Sequence, residues 1–246
     1  MKIGVTERGD PSIDYAWVEK MDTVDGAVII SKNLTTKLMT NLLTVKNKVI
    51  FHLSCTGYGG TVVEPNIPGP KEQLKKAEVL IAAGFPQSHI VIRVDPIIPS
   101  AKGLKRAENV IDLFAKAGFT RFRVSLMDAY PHVRKRFEDA GLPLPYGTKF
   151  EPSEKQFEAA NHMLAEIKAL HPAIAIESCA EGRLTEAKAM GCISKKDLEI
   201  LGLSPEDADE KGYQRSGCLC CSAKTELLKE KHQCPYKCLY CYWHNS

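Results

Sequence analysis

Apolar, largely β-branched runs recur along the chain at Ile3–Thr6, Ala27–Ser31, Val49–Ser54, Ile90–Val94, Arg121–Leu126 and Ile174–Ser178. Each has the length of a buried strand and is followed by polar or turn-forming residues. Helical periodicity fills the gaps. Leu74, Ala77 and Ile81 share one face of a segment that stops at Gly84. Ala107, Val110, Ile111 and Phe114 follow the i, i+3, i+4, i+7 rule up to Gly118, and Phe157, Ala160, Leu164 and Ile167 mark a helix entered through Ser153. Strand–helix alternation at this spacing predicts parallel strands with right-handed crossovers. Six units suggest an α/β fold: a parallel six-stranded (β/α)6 barrel or partial barrel over residues 1–203. From residue 204 to 246 the periodicity fades, and this cysteine-rich tail is read as an appendage packed on the barrel mouth.

The segments after the predicted strands carry most of the unusual side chains. They include Arg8 and Asp10 after the first, Lys32 after the second, and Thr56-Gly57-Tyr58-Gly59 with Glu64-Pro65 after the third. Arg93 and Asp95 end the fourth, Ser125, Asp128 and Tyr130 follow the fifth, and Glu177 and Cys179 close the sixth. In a parallel barrel these ends share one rim, the rim on which catalytic sites form.

Composition narrows the class. At 246 residues, 44% hydrophobic and 26% charged, the chain suits one soluble globular domain. No run approaches the roughly 18 apolar residues a membrane span needs, and the polar N-terminus does not read as a secretory signal. A cytoplasmic protein without a membrane partner is expected. The net charge of +3 is too small to demand a nucleic-acid partner. From Lys211 onward, however, six Lys or Arg face two acids, a bias that favours an anionic substrate or simply a solvated surface.

Nine cysteines in a reducing compartment argue for metal rather than disulfides. Cys55, Cys179 and Cys192 are scattered, whereas Cys218, Cys220, Cys221, Cys234, Cys238 and Cys241 crowd the C-terminal end. The densest signal is Cys234-Pro-Tyr-Lys-Cys238-Leu-Tyr-Cys241. A CxxxCxxC loop can present three thiolates to one face of an iron–sulfur cubane, leaving one iron without a protein ligand. The competing reading is a four-thiolate zinc site built from Cys218 and Cys220, or Cys221, with the terminal cysteines.

This motif resembles that of the radical S-adenosylmethionine superfamily, including Tyr240 directly before the third cysteine. The resemblance implies a 4Fe-4S cluster whose open iron binds S-adenosylmethionine and whose electron cleaves it to a 5′-deoxyadenosyl radical. It also implies a reductase- or flavodoxin-type electron donor, and it sets Tyr240 near the adenine. Most members carry the cysteine loop after the first strand, where this chain has Thr6–Pro11. The C-terminal placement is instead similar to an uncharacterised domain family with radical-SAM-like terminal cysteines. That likeness rests on Arg8-Gly9-Asp10-Pro11, Lys32-Asn33, Thr56–Gly59, Arg93–Ile98 and Gln214-Arg215. Glu64-Pro65 and Asp95–Pro99 are similar to segments of spore photoproduct lyase-like enzymes, which implies a nucleobase in DNA, thymine or a modified thymine, as substrate.

On this reading Lys32 or Arg93 holds the methionine carboxylate, and Asp95, Asp128 or Glu177, with Ser125 at the same rim, serves the ribose. The alternative for these residues is an ion-pair network across the barrel mouth. Arg8 and Asp10 brace the cysteine loop or face the substrate. Tyr58 and Tyr130 stack on a base or donate a hydrogen atom, or else simply pack. Cys179, Cys192, Cys218 and Cys220 make a second, closed cluster, or Cys179 and Cys192 are small buried residues. His52, His132 and His162 show no metal spacing and are given no role. The function of a second class is a non-catalytic zinc- or cluster-stabilised nucleic-acid-binding module.

Overall fold

The computed structural model describes residues 1–179, 181–204, 224–228 and 234–243, without the side chain of Cys179. Cys218, Cys220 and Cys221, and with them Gln214-Arg215, lie outside the described residues. Among the described residues, eight parallel strands form one curled sheet, a half-barrel, in the order β7-β6-β5-β4-β3-β2-β1-β8. They are β1 (Ile3–Val5), β2 (Gly26–Ser31), β3 (Val49–Ser54), β4 (Ile90–Ile97), β5 (Arg121–Leu126), β6 (Ala175–Cys179), β7 (Lys188–Met190) and β8 (Lys224–Glu226).

The expectation of six strands is therefore corrected to eight. Both additions are three-residue strands at the sheet edges, Lys188-Ala189-Met190 and Lys224-Thr225-Glu226. Neither has an apolar, β-branched run, and none of their residues is buried. β8 nonetheless ties residues of the cysteine-rich tail into the sheet: it pairs with β1, and Leu227 and Leu228 just beyond it are fully buried. Gly4 makes this possible, since a Cβ there would lie 2.6 Å from Leu227.

Beyond α1 (Ala16–Glu19) and α2 (Thr36–Thr44), the crossover helices form where the periodicity predicted. α3 (Pro70–Ala82) and α4 (Ala101–Lys116) are followed by Gly84 and Gly118 at φ +96° and +84°, left-handed positions that glycine adopts without penalty. α6 (Glu154–Leu170) begins in a capping box between Ser153 and Gln156. On the convex side, Phe51, Leu53, Ile92, Phe122 and Val124 of the strands pack under Val110, Phe114, Phe157 and Leu164 of these helices. Each such fully buried side chain contributes roughly 1.5–3 kcal/mol. Cys55 belongs to this core; burial pushes its thiol up to about 12, the state of an inert packing residue.

The concave side changes character along the strands. Near their N-terminal ends Ile3, Val5, Val28, Ile50 and Val91 meet Ile193 and Leu198, the latter on the short helix α7 (Lys195–Ile200), in an apolar plug. One step toward the C-terminal rim, the register sets Ser54, Arg93, Arg123 and Glu177 side by side on neighbouring strands. Two arginines in direct cross-strand register repel, and carboxylates relieve it. Arg123 bonds Glu177 at 2.5 Å and lies 3.8 Å from Asp197, while Arg93 Nε donates to Asp95 at 2.6 Å.

His52 stands among these cations, fully buried, with neither ring nitrogen hydrogen-bonded among the described residues. Burial first, then Arg123, Arg93 and Arg121, holds its pKa well below 6.5. The folded value lies below the unfolded one, so the stability of neutral His52 is fully present above about pH 6.5. It erodes as the pH falls through that value, at up to ~1.4 kcal/mol per pH unit. His52→Leu should be at least as stable as the parent at pH 7.5 and should lose less stability between pH 7.5 and 5.5. Equal losses in denaturant titrations of the two proteins would contradict this account.

Candidate metal centre

Residues 234–243 lie over the C-terminal rim and are held by backbone and side chains of loops that follow the strands. Leu239 N–H donates to the Val63 carbonyl at 3.0 Å and Asn66 Nδ2 to the Pro235 carbonyl at 2.7 Å. The Tyr236 hydroxyl bonds Ser12 Oγ at 2.6 Å, and Ser12 in turn donates to Asp10. Lys237 takes a left-handed φ of 51° and bends the chain between the first two cysteines of the motif.

Beneath this loop lies a second apolar cluster, separate from the main core. Tyr58, Val63, Ile67, Ile98, Met127, Val133, Phe137 and Tyr146 surround Tyr236, Cys238 and Tyr240, with Cys234 and Cys241 packed against them. The thiols are close enough to feel one another's charge. Burial pushes the Cys238 thiol up to about 12, with Glu64, Cys241 and Cys234 adding to the effect and Lys32 opposing it. Burial raises Cys234 as well, and Asp10 and Cys241 add to it.

Cys234 and Cys238 resist ionising on their own, and a multivalent cation is the partner that reverses the balance, because a coordinating thiol is deprotonated outright. By donor chemistry and charge the loop suits a thiolate-bound metal group. Among the described residues, no three His, Cys, Asp or Glu are drawn together as ligands of a single ion.

The polar centre beside the loop is Glu64, 1% exposed. Its carboxylate accepts from Thr56 Oγ1 at 2.7 Å, from Lys32 Nζ at 3.3 Å and from the Tyr240 hydroxyl. Lys32 Nζ also donates to the Tyr240 hydroxyl at 2.6 Å, and it sits 4.8 Å from that ring's centre. Burial works against the Lys32 charge, but Glu64, Cys238 and Asp95 outweigh it and raise its pKa. Asp10 accepts from the Lys32 backbone N–H at 2.8 Å and from Ser31 Oγ at 2.7 Å, fixing the start of this loop. A second polar group is adjacent: Asp95, held by Arg93 and Ser125, has its pKa lowered by these partners and Lys32 despite burial.

Of the residues singled out from sequence, the fold thus gathers Cys234, Cys238, Cys241, Tyr240, Lys32 and Asp10, with Arg93, Asp95 and Ser125 next to them. Others lie apart. Tyr58 packs under Arg106, with 5.0 Å between guanidinium and ring. Tyr130 stacks on His132 and meets Phe150 edge-on. Arg8 is exposed, its backbone N–H bonded to Glu226. Glu177 sits deeper with Arg123, and the charge of Asp128 acts on Tyr146.

Cys192 is buried, and its carbonyl takes a 2.8 Å bond from Arg123. The Cys179 side chain, Cys218 and Cys220 fall outside the described residues, and with them the closed second cluster.

Glu64 was not among the sequence-derived site residues. Its position in a Glu-Pro pair after the third strand was the available signal, but its partner Tyr240 is 176 residues away. Glu64→Ala would strand the Tyr240 and Thr56 hydroxyls and the Lys32 ammonium. We expect a loss of about 1–3 kcal/mol, the cost of orphaning buried hydrogen-bonding groups, with amide exchange accelerated in residues 234–243 beyond the global change. Tyr240→Phe should show a milder version of both effects. Uniform acceleration across the sheet in Glu64→Ala would argue that Glu64 does not specifically anchor the loop.

No curated protein matches the chain. One family model does, described as a domain of unknown function, DUF1848, and it covers residues 12–243. The matched stretch starts at Ser12, which meets Tyr236, and ends at Trp243, so it contains the three cysteines together with Lys32, Val63, Glu64 and Asn66. On that near-complete match, the chain belongs to the DUF1848 family.

Proposed function

We propose that this chain is a radical S-adenosylmethionine enzyme with a 4Fe-4S cluster on Cys234, Cys238 and Cys241. One observation carries the reading. A CxxxCxxC loop is docked over the C-terminal rim of a parallel α/β half-barrel, its thiols packed with an apolar, tyrosine-rich cluster and next to a lysine. A cluster held by three thiolates would supply, through its remaining iron, binding of S-adenosylmethionine and the electron that cleaves it to a 5′-deoxyadenosyl radical.

The rest of the task belongs to the protein's side chains. The apolar cluster limits water around the loop, which strengthens electrostatic interactions there. Lys32, a fifth exposed and bonded to the Tyr240 hydroxyl, suits a carboxylate; Arg93, likewise a fifth exposed, is the second candidate. Asp95 and Ser125 offer hydrogen-bonding partners for ribose hydroxyls. For the substrate we assign a nucleobase in DNA, thymine or a modified thymine, undergoing cleavage or isomerisation. The support is the likeness of Glu64-Pro65 and Asp95–Pro99 to spore photoproduct lyase-like enzymes, and this substrate assignment is fold-level analogy. A reductase or flavodoxin-type protein would be the electron donor.

Anaerobic reconstitution with iron and sulfide should yield a brown protein containing the two in near-equal amounts. Cys238→Ser should abolish the colour and reduce reductant-dependent 5′-deoxyadenosine formation to background. Deuterium placed on thymine in DNA should appear in the 5′-deoxyadenosine of the parent protein. A colourless protein that takes up only zinc through these cysteines would sink the enzymatic reading and favour the nucleic-acid-binding module.

A further inference from the structure

The first two cysteines of the motif and the last are anchored from different parts of the fold. Cys234 to Tyr240 are tied to the loops after β1, β2 and β3 through Ser12, Lys32, Val63, Glu64 and Asn66. Cys241 to Trp243 are held from the opposite flank by α5 (Pro131–Asp139). Arg136 Nη1 donates to the Cys241 carbonyl and its other Nη to the Trp243 carbonyl, both at 2.6 Å. The Tyr242 hydroxyl, by contrast, reaches the Glu7 carbonyl only at 3.5 Å. α5 is itself fixed, because Val133 and Phe137 are buried in the apolar cluster that contains the cysteines.

A guanidinium spans two acceptors with a rigid planar fork, which a lysine ammonium on a flexible stem does not reproduce. Two short charge-assisted bonds to carbonyls two residues apart fix the chain just where the third thiol leaves it. Nothing in the motif spacing requires this: CxxC alone leaves the backbone after Cys241 free to turn either way.

We propose that Arg136 is a positioning residue that sets Cys241 in place for metal binding together with Cys234 and Cys238. The proposal rests on the reading that this loop binds metal through its thiols, and it adds the element that completes the three-point grip. Outer groups that orient metal ligands typically matter 10–100-fold in affinity.

Cobalt(II) serves as the probe, titrated anaerobically into the full-length, metal-free protein and followed by thiolate-to-cobalt absorption. The signal lost in Cys238→Ser isolates the contribution of this loop. Arg136→Gln should weaken that binding by about 10–100-fold, and Arg136→Lys, which keeps the charge and the packed stem, should recover part of it. Arg134→Gln, on the same helix but bonded to the Thr148 carbonyl, should leave it unchanged.

Affinity within twofold of the parent in Arg136→Gln overturns the proposal. So does an equal loss in Arg134→Gln, which would mean that any loosening of α5 suffices. If cobalt binding follows the expected order but the parent never assembles iron with sulfide, the enzymatic reading fails while the role of Arg136 stands.

Discussion

A carboxylate as deeply buried as Glu64 is tolerable only when its oxygens are fully engaged, and what engages them comes from three separate stretches of chain. Thr56 belongs to the same loop, Lys32 to the loop after β2, and Tyr240 to the cysteine motif. One buried charge therefore couples the position of the motif to the half-barrel. Without it, Lys32 would face the thiols as an unneutralised cation and Tyr240 would have to find another acceptor. With it, the lysine stays charged and points at the loop, and the tyrosine ring is fixed between two cysteines.

The concave face follows the same logic on a larger scale. Parallel strands deliver identical register positions side by side, so Arg93 and Arg123 cannot avoid each other. Asp95, Glu177 and Asp197 make the arrangement stable, and these interactions also fix side chains along the inner wall beneath the rim. Of the two readings offered by the sequence for the rim residues, the ion-pair network is the one seen directly. Glu177 is committed to an internal ion pair with Arg123, whereas Lys32, Arg93 and Asp95 keep part of their surface open beside the cysteines.

The large features were legible because they depend on local pattern. The six principal strands, the helices ending at Gly84 and Gly118, and the box at Ser153 all follow from residues within a few positions of one another. The features that local pattern does not reveal depend on partners distant in sequence. Nothing in Lys224-Thr225-Glu226 announces a strand until β1 is beside it. Glu64 is one acid among many until Tyr240 arrives, and Arg136 reads as a solvated helix cation until its fork meets two carbonyls of the tail. His52 reads as a polar residue in a strand, while the fold buries it completely among arginines. Within the site, the cysteines and Lys32 were found by residue type. Of the groups that hold them in place, Asp10 and Tyr240 stand out in the sequence, whereas Ser12, Glu64 and Arg136 emerge only in the folded geometry.

The pairing of β8 with β1 has a consequence for the protein as it is made. The first strand is translated well before the neighbour that covers its outer edge, which is encoded by residues 224–226. Until those residues emerge, β1 presents unpaired backbone groups, the kind of edge that recruits foreign strands. Its shortness, three residues, limits the length over which such a mistake can propagate while the ribosome completes the chain.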